Sequence, residues 1–170
     1  MRKRSQKQFL IFFVILAALM QATFLYRFRV AGVKPDILLT IVIFSTFYFE
    51  GSFCLKTALF AGFIGDVLSG GIFGLNILTF GLCGFVLPLY GQRVYRENIP
   101  IQLFICFSSV LAVYSLYYLA SRVFLPLAGF IEALKMVILP TALYSTFIFG
   151  PLCIFLKKSL GFLAYENRSY

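Results

Sequence analysis

The chain alternates between apolar runs and short polar breaks, with runs at about 9–26, 37–49, 53–68, 72–90, 99–121 and 133–156. A membrane helix needs ~20 largely apolar residues, so each run is a candidate span. The second and third are short, which sinks them between neighbours or has them cross a thinned bilayer. If that pair at 37–68 stops short, five full crossings remain. Pro140 and Pro151 are expected to kink the sixth run, as membrane helices tolerate when neighbours satisfy the freed carbonyls. The longest polar break, Arg27 to Asp36, is too short to fold on its own. The expectation for 1–170 is a single polytopic membrane domain: an all-α integral membrane protein, built as a compact bundle of about six transmembrane helices.

Composition sharpens this picture. Only 12% of residues are charged and 61% are apolar, whereas a soluble domain carries about 25% charge. The net charge of +9 is scattered between the runs, so nucleic acid is not an expected partner. Its densest group, Arg2, Lys3, Arg4 and Lys7, precedes the first run, where basic side chains gain ~1 kcal/mol each from anionic lipid. A basic start followed by an apolar stretch also suits a signal peptide. The run is long for one, however, and reaches Tyr26-Arg27 without a small-residue cleavage motif, so an uncleaved helix is expected. With six spans, one side holds the ten basic residues Arg2, Lys3, Arg4, Lys7, Lys56, Arg93, Arg96, Lys157, Lys158 and Arg168. The other side holds five, Arg27, Arg29, Lys34, Arg122 and Lys135. That bias puts both termini in the cytoplasm.

Against this background Asp66 stands out. It lies inside Ala61-Gly62-Phe63-Ile64-Gly65-Asp66-Val67-Leu68-Ser69-Gly70-Gly71-Ile72-Phe73-Gly74-Leu75-Asn76, with no other charge in the stretch. An acid in a span costs roughly 2.5–3.5 kcal/mol at a helix centre. A negative charge near a helix C-terminus is also disfavoured by the dipole. Asp66 therefore needs a partner: a cation among Arg27, Arg29, Lys34 and Arg122, a hydrogen bond to a neighbouring helix, or another protein. Asp36, after Pro35, suits the cap of the second run, though a cap can also sit at an interface. Asn76 suits a helix start or an interhelical hydrogen bond. In the expected topology all three gather towards the outer face.

Small residues add a packing signal. Ala58, Gly62 and Asp66 recur every fourth residue, and Ala61, Gly65 and Ser69 form the adjoining row. The fourth run offers Gly74, Gly81, Gly84 and Pro88, and the first a weaker Ala18/Ala22 patch. Such faces associate in lipid by close packing. The candidate partner-binding residues are thus Pro35, Asp36, Gly62, Gly65, Asp66, Gly74 and Asn76.

Catalytic chemistry finds little support. The chain has no histidine, and Cys54, Cys83, Cys106 and Cys153 lie singly in apolar sequence. They are expected to behave as small hydrophobes, without disulfides, metal or cofactor. Enzymes that transfer membrane phospholipids generally gather several acids around Mg²⁺. Six acids spread along the chain do not form such a site, and an enzyme is not expected.

Lys34-Pro35-Asp36-Ile37-Leu38-Leu39, Glu50-Gly51, Gly62 through Gly70, Gly74-Leu75-Asn76 and Tyr95-Arg96-Glu97-Asn98, in that order, resemble the rod shape-determining MreD family. Only Lys56 follows the Glu-Gly pair, where the family often carries more basic residues. The resemblance implies a non-enzymatic, multi-pass subunit of the bacterial cytoplasmic membrane. It further implies partnership with an MreC-like protein, MreB, RodA and its transpeptidase in lateral peptidoglycan synthesis. The implied fold is similar to the substrate-binding membrane subunits of energy-coupling-factor vitamin transporters. Two functions remain: a scaffold that binds a single-pass partner, and a small-molecule-binding subunit of a vitamin-type transporter.

Overall fold

The computed structural model of the chain describes residues 2–23, 34–89, 98–124 and 129–161. Arg27, Arg29, Arg93, Tyr95-Arg96-Glu97 and Arg168 lie outside them, as do the side chains of Arg2, Lys3 and Arg4. The described residues form six helices and no strand. These are α1 (Arg2–Thr23), α2 (Ile37–Tyr48), α3 (Gly51–Ser69), α4 (Leu75–Leu89), α5 (Ile99–Phe124) and α6 (Phe130–Ser159). Four of them, α1, α3, α5 and α6, are long and apolar enough to cross a membrane.

Helix lengths depart from the apolar runs in two instructive places. The third run, 53–68, was expected to be short, and the fourth was expected to span 72–90. Instead α3 has 19 residues and α4 has 15. The reason is a turn that consumes Gly70 to Gly74: Gly70 (φ +62°) ends α3 in the left-handed region, and Gly74 (φ +97°) holds a similar conformation just before α4. Hydrophobicity continues through Ile72-Phe73, but these backbone angles interrupt the helix. Helix α1 departs the other way, starting at Arg2, because Arg, Lys and Gln are good helix formers that extend an apolar helix at little cost.

Helix α2 is the axis of the bundle. Eleven of its 12 residues are buried, and it touches each of the other helices. Its apolar character on every side is what a helix surrounded by protein requires. Phe44 stacks on Tyr48, and Phe47 meets Phe149 of α6 edge-on at 6.3 Å. Helix α6 handles its prolines unequally. A π-helical turn, Leu134–Ile138, precedes Pro140, with the Leu139 N–H donating to the Leu134 carbonyl. Pro140 has no N–H to continue the ordinary ladder, and the wider turn absorbs the misfit. Pro151 lies within the remaining helix, which runs on to Ser159.

Contacts between the ends of the helices orient the bundle. Gln6 Nε2 donates to the Leu160 carbonyl at 2.7 Å, and Lys7 Nζ lies 3.8 Å from Glu50 Oε2. Lys157 Nζ sits 5.3 Å above the Tyr48 ring. The start of α1, the α2–α3 link and the end of α6 therefore share one end, called here the terminal end. Asp36 begins α2 and Asp66 nearly ends α3, so both belong to the far end.

Candidate functional site

The far end is built on two buried carboxylates. Asp66 is 3% exposed and lies in the last turn of α3. Its Oδ2 accepts from the Gly74 N–H at 3.0 Å and the Ile77 N–H at 3.1 Å, and its Oδ1 accepts from the Asn76 N–H at 3.0 Å. The first turn of a helix leaves its N–H groups without intrahelical acceptors. Asp66 supplies three of the missing acceptors for α4. Leu75 N–H uses the Ile72 carbonyl and Leu78 N–H the Gly74 carbonyl, so every amide from 74 to 78 is satisfied. A carboxylate disfavoured at the end of its own helix is thereby placed at the favourable N-terminus of the next. Of the partners open to Asp66 in the sequence, the described residues supply a neighbouring helix, and the partner groups are its backbone amides.

Glycine makes this approach possible. A Cβ on Gly62 would stand 2.6 Å from the Asn76 carbonyl oxygen and 2.7 Å from Ile77 Cα. Any side chain there would push the start of α4 away from Asp66. Further along the same interface Gly84 lies directly against Ala58. Gly65 makes room at ordinary contact distance for the Asn76 side chain, whose Nδ2 is 3.5 Å from Ser69 Oγ. Phe63 and Phe73 close the outside of the hairpin edge-on at 5.9 Å. The small-residue rows of α3 and α4 thus face each other.

The second carboxylate, Asp36, is 6% exposed. Its Oδ1 caps α2 by accepting from the Leu39 N–H at 3.0 Å. Its Oδ2 accepts from Tyr114 Oη of α5 at 3.0 Å, and its own N–H donates to Ser145 Oγ of α6 at 3.0 Å. Gln21 of α1 adds a fourth helix, its Oε1 accepting from the Leu38 N–H at 3.3 Å. Burial pushes the Asp36 carboxyl above its ordinary range, opposed by its hydrogen bonds from Leu39 and Tyr114. Pro35, beside it, is buried.

The seven sequence-derived candidates therefore fall into two groups. Gly62, Gly65, Asp66, Gly74 and Asn76 meet in the α3–α4 hairpin. Pro35 and Asp36 form a separate corner against α5 and α6. Helix α5 runs between them: Tyr114 reaches Asp36, and one turn later Tyr117 Oη lies 3.0 Å from where a Gly71 Cβ would be. Sequence reasoning missed Gln21, Tyr114, Tyr117 and Ser145. Their only signal was polarity inside apolar runs, and nothing along the chain pairs Asp36 with residues 78 and 109 positions away. No group of three or more metal-ligating side chains occurs among the described residues, and all four cysteines are buried thiols outside any disulfide.

Comparison with curated proteins and with solved structures finds no match. Residues 1–162 match the family described as rod shape-determining protein MreD. That match covers both carboxylate corners and every described helix, and the chain belongs to the MreD family of rod shape-determining proteins.

Proposed function

We propose that this protein is a non-enzymatic scaffold of the bacterial cell-elongation machinery. It holds an MreC-like single-pass protein in the cytoplasmic membrane and, directly or through that partner, engages MreB, RodA and its transpeptidase in lateral peptidoglycan synthesis. A role in rod shape determination follows from the family; the partners and the mode of action are the proposal. So are six membrane crossings with both termini inside, and a helix arrangement similar to the substrate-binding subunits of energy-coupling-factor transporters.

The observation that carries the scaffold reading is how the far end uses its acids. Asp36 and Asp66 have both oxygens engaged by groups of the same chain. Carboxylates held this way fix helix ends in place. In this reading Pro35, Asp36, Gly62, Gly65, Asp66, Gly74 and Asn76 shape a rigid end of the bundle on which the partner docks. Their contribution is geometric: they position the α3–α4 hairpin and the start of α2.

The test is co-purification through a C-terminal tag after mild solubilisation of native membranes. The expected companions are a single-pass MreC-like protein and cell-wall synthases. Asp66→Leu should reach the membrane yet capture the partner several-fold less well. A coupling membrane subunit with ATPases as the companions would replace the scaffold with a solute-capture role. Undiminished capture by Asp66→Leu at normal expression would remove the hairpin from the docking surface.

A further inference from the structure

Among the described residues, the terminal end contains a buried charge with no acid paired to it. Lys157, in the last turn of α6, is 4% exposed. Its only described polar contact is the face of Tyr48, 5.3 Å from Nζ. A ring face recovers only part of the hydration an ammonium loses on burial. Among the described residues the one acid at this end is Glu50, which Lys7 engages at 3.8 Å. The Tyr48 hydroxyl in turn accepts from Gln102 Nε2 at 3.1 Å, and Gln102 Oε1 accepts from Cys153 Sγ at 3.4 Å. These groups hold the ring under the ammonium without supplying a negative charge. Nor is the ammonium sealed in: Thr146 Oγ1 is the one fully enclosed side-chain polar atom without a hydrogen bond among the described residues.

Depth indicates what supplies the missing charge. Helix α6 has 30 residues, ~45 Å at 1.5 Å per residue, against a hydrocarbon core of about 30 Å. Its last turn therefore extends to the headgroup layer, where the abundant anion is a phosphodiester. We propose that Lys157, over Tyr48, forms the floor of a site for the phosphate of an anionic phospholipid, with exposed Lys158 at its rim. This inference requires a membrane-spanning α6 and is independent of the scaffold role.

The test titrates phosphatidylglycerol, and separately phosphatidylcholine, into the purified full chain in neutral detergent. Bound lipid is read by native mass spectrometry and stability by the melting temperature. Phosphatidylglycerol should be retained and should raise the melting temperature. Lys157→Met should melt no lower than the parent with phosphatidylcholine, because it removes an uncompensated buried charge while keeping an apolar stem. It should bind phosphatidylglycerol about tenfold more weakly, as expected for one charge-assisted contact. Lys157→Arg should keep the binding, and Lys158→Gln should lose markedly less than Lys157→Met.

Equal losses in Lys157→Met and Lys158→Gln would mean generic surface attraction and overturn the site. So would unfolding of Lys157→Met with phosphatidylcholine, which would make Lys157 a structural residue. Inorganic phosphate that matched the lipid in stabilising the protein would assign the site to free phosphate and overturn the lipid.

Discussion

Asp66 and Asp36 are the same residue in similar burial, and each closes the open N-terminus of a helix, but their partners differ in kind. Asp66 bonds three backbone N–H groups eight to eleven residues ahead of it. Asp36 bonds one backbone N–H three residues ahead and one tyrosine hydroxyl across the bundle, while its own N–H reaches a serine on α6. The first closes a local hairpin through groups that can only donate. The second ties three helices together through hydroxyls that can donate or accept. Local closure with fixed donors should tolerate no change of chemistry at the carboxylate. Long-range closure through hydroxyls should be more forgiving.

The largest effect expected is that of Asp66→Leu. It strips three α4 amides of a charged acceptor, at a cost of roughly 3–5 kcal/mol, limited because part-buried amides regain some water. Hydrogen exchange should show faster exchange at residues 74, 76 and 77, with α2 amides little changed. Equal loosening of α2 would mean that the two corners are one cooperative unit, and the contrast between them would dissolve. Next comes Gly62→Ala, whose methyl would meet the α4 backbone at 2.6–2.7 Å. Backbone cannot rotate aside as a side chain can, so an overpacking cost of about 1–3 kcal/mol is expected. Chemical unfolding in detergent would measure it, and a neutral result would show that the hairpin can open without loss.

Asp36→Ala should follow, at about 2 kcal/mol for a lost cap plus a lost tyrosine hydrogen bond. Its signature is spatial: exchange should rise in α2 and at the facing turns of α5 and α6, far apart in sequence. Protection lost only at residues 38–40 would reduce Asp36 to a simple cap and leave α5 and α6 held by other contacts.

How readable these corners were from the chain follows the same division. The apolar runs located every described helix, because burial or lipid contact requires apolarity along the whole length of a span. The Asp66 hairpin was half visible: acid, glycines and asparagine lie close together, and a neighbouring helix was among the partners expected for Asp66. What hydropathy could not show was that the turn runs past Gly71 to Gly74, since Ile72 and Phe73 are as apolar as a helix interior. The cap at Asp36 was legible from Pro35-Asp36, but Tyr114, Ser145 and Gln21 were not. A hydroxyl in an apolar run looks the same whether it bonds its own helix, as Thr79 does with the Leu75 carbonyl, or spans the bundle. Lys157 was read as one of ten basic residues in an orientation count, and its burial over Tyr48 depends on helix packing that the count ignores.

The finest test of the contrast replaces each acid by asparagine. At position 66 both oxygens receive backbone N–H groups, so either orientation of an amide points its NH₂ at a donor. Asp66→Asn should therefore cost about 2 kcal/mol, one unsatisfied buried pair. At position 36 the amide can keep its oxygen on the Leu39 N–H and turn its NH₂ towards Tyr114, whose hydroxyl rotates to accept. Burial pushes the Asp36 carboxyl above its ordinary range, so a neutral amide there also avoids the cost of desolvating a charge. Asp36→Asn should stay within about 1 kcal/mol of the parent, and removing the hydroxyl with Tyr114→Phe should cost the asparagine variant about as much as it costs the parent. Melting of the four proteins in one detergent completes the double-mutant cycle. A large penalty for Asp36→Asn that Tyr114→Phe relieves would mean that Tyr114 is pinned as a donor, and the tolerance argued for the long-range corner would be lost.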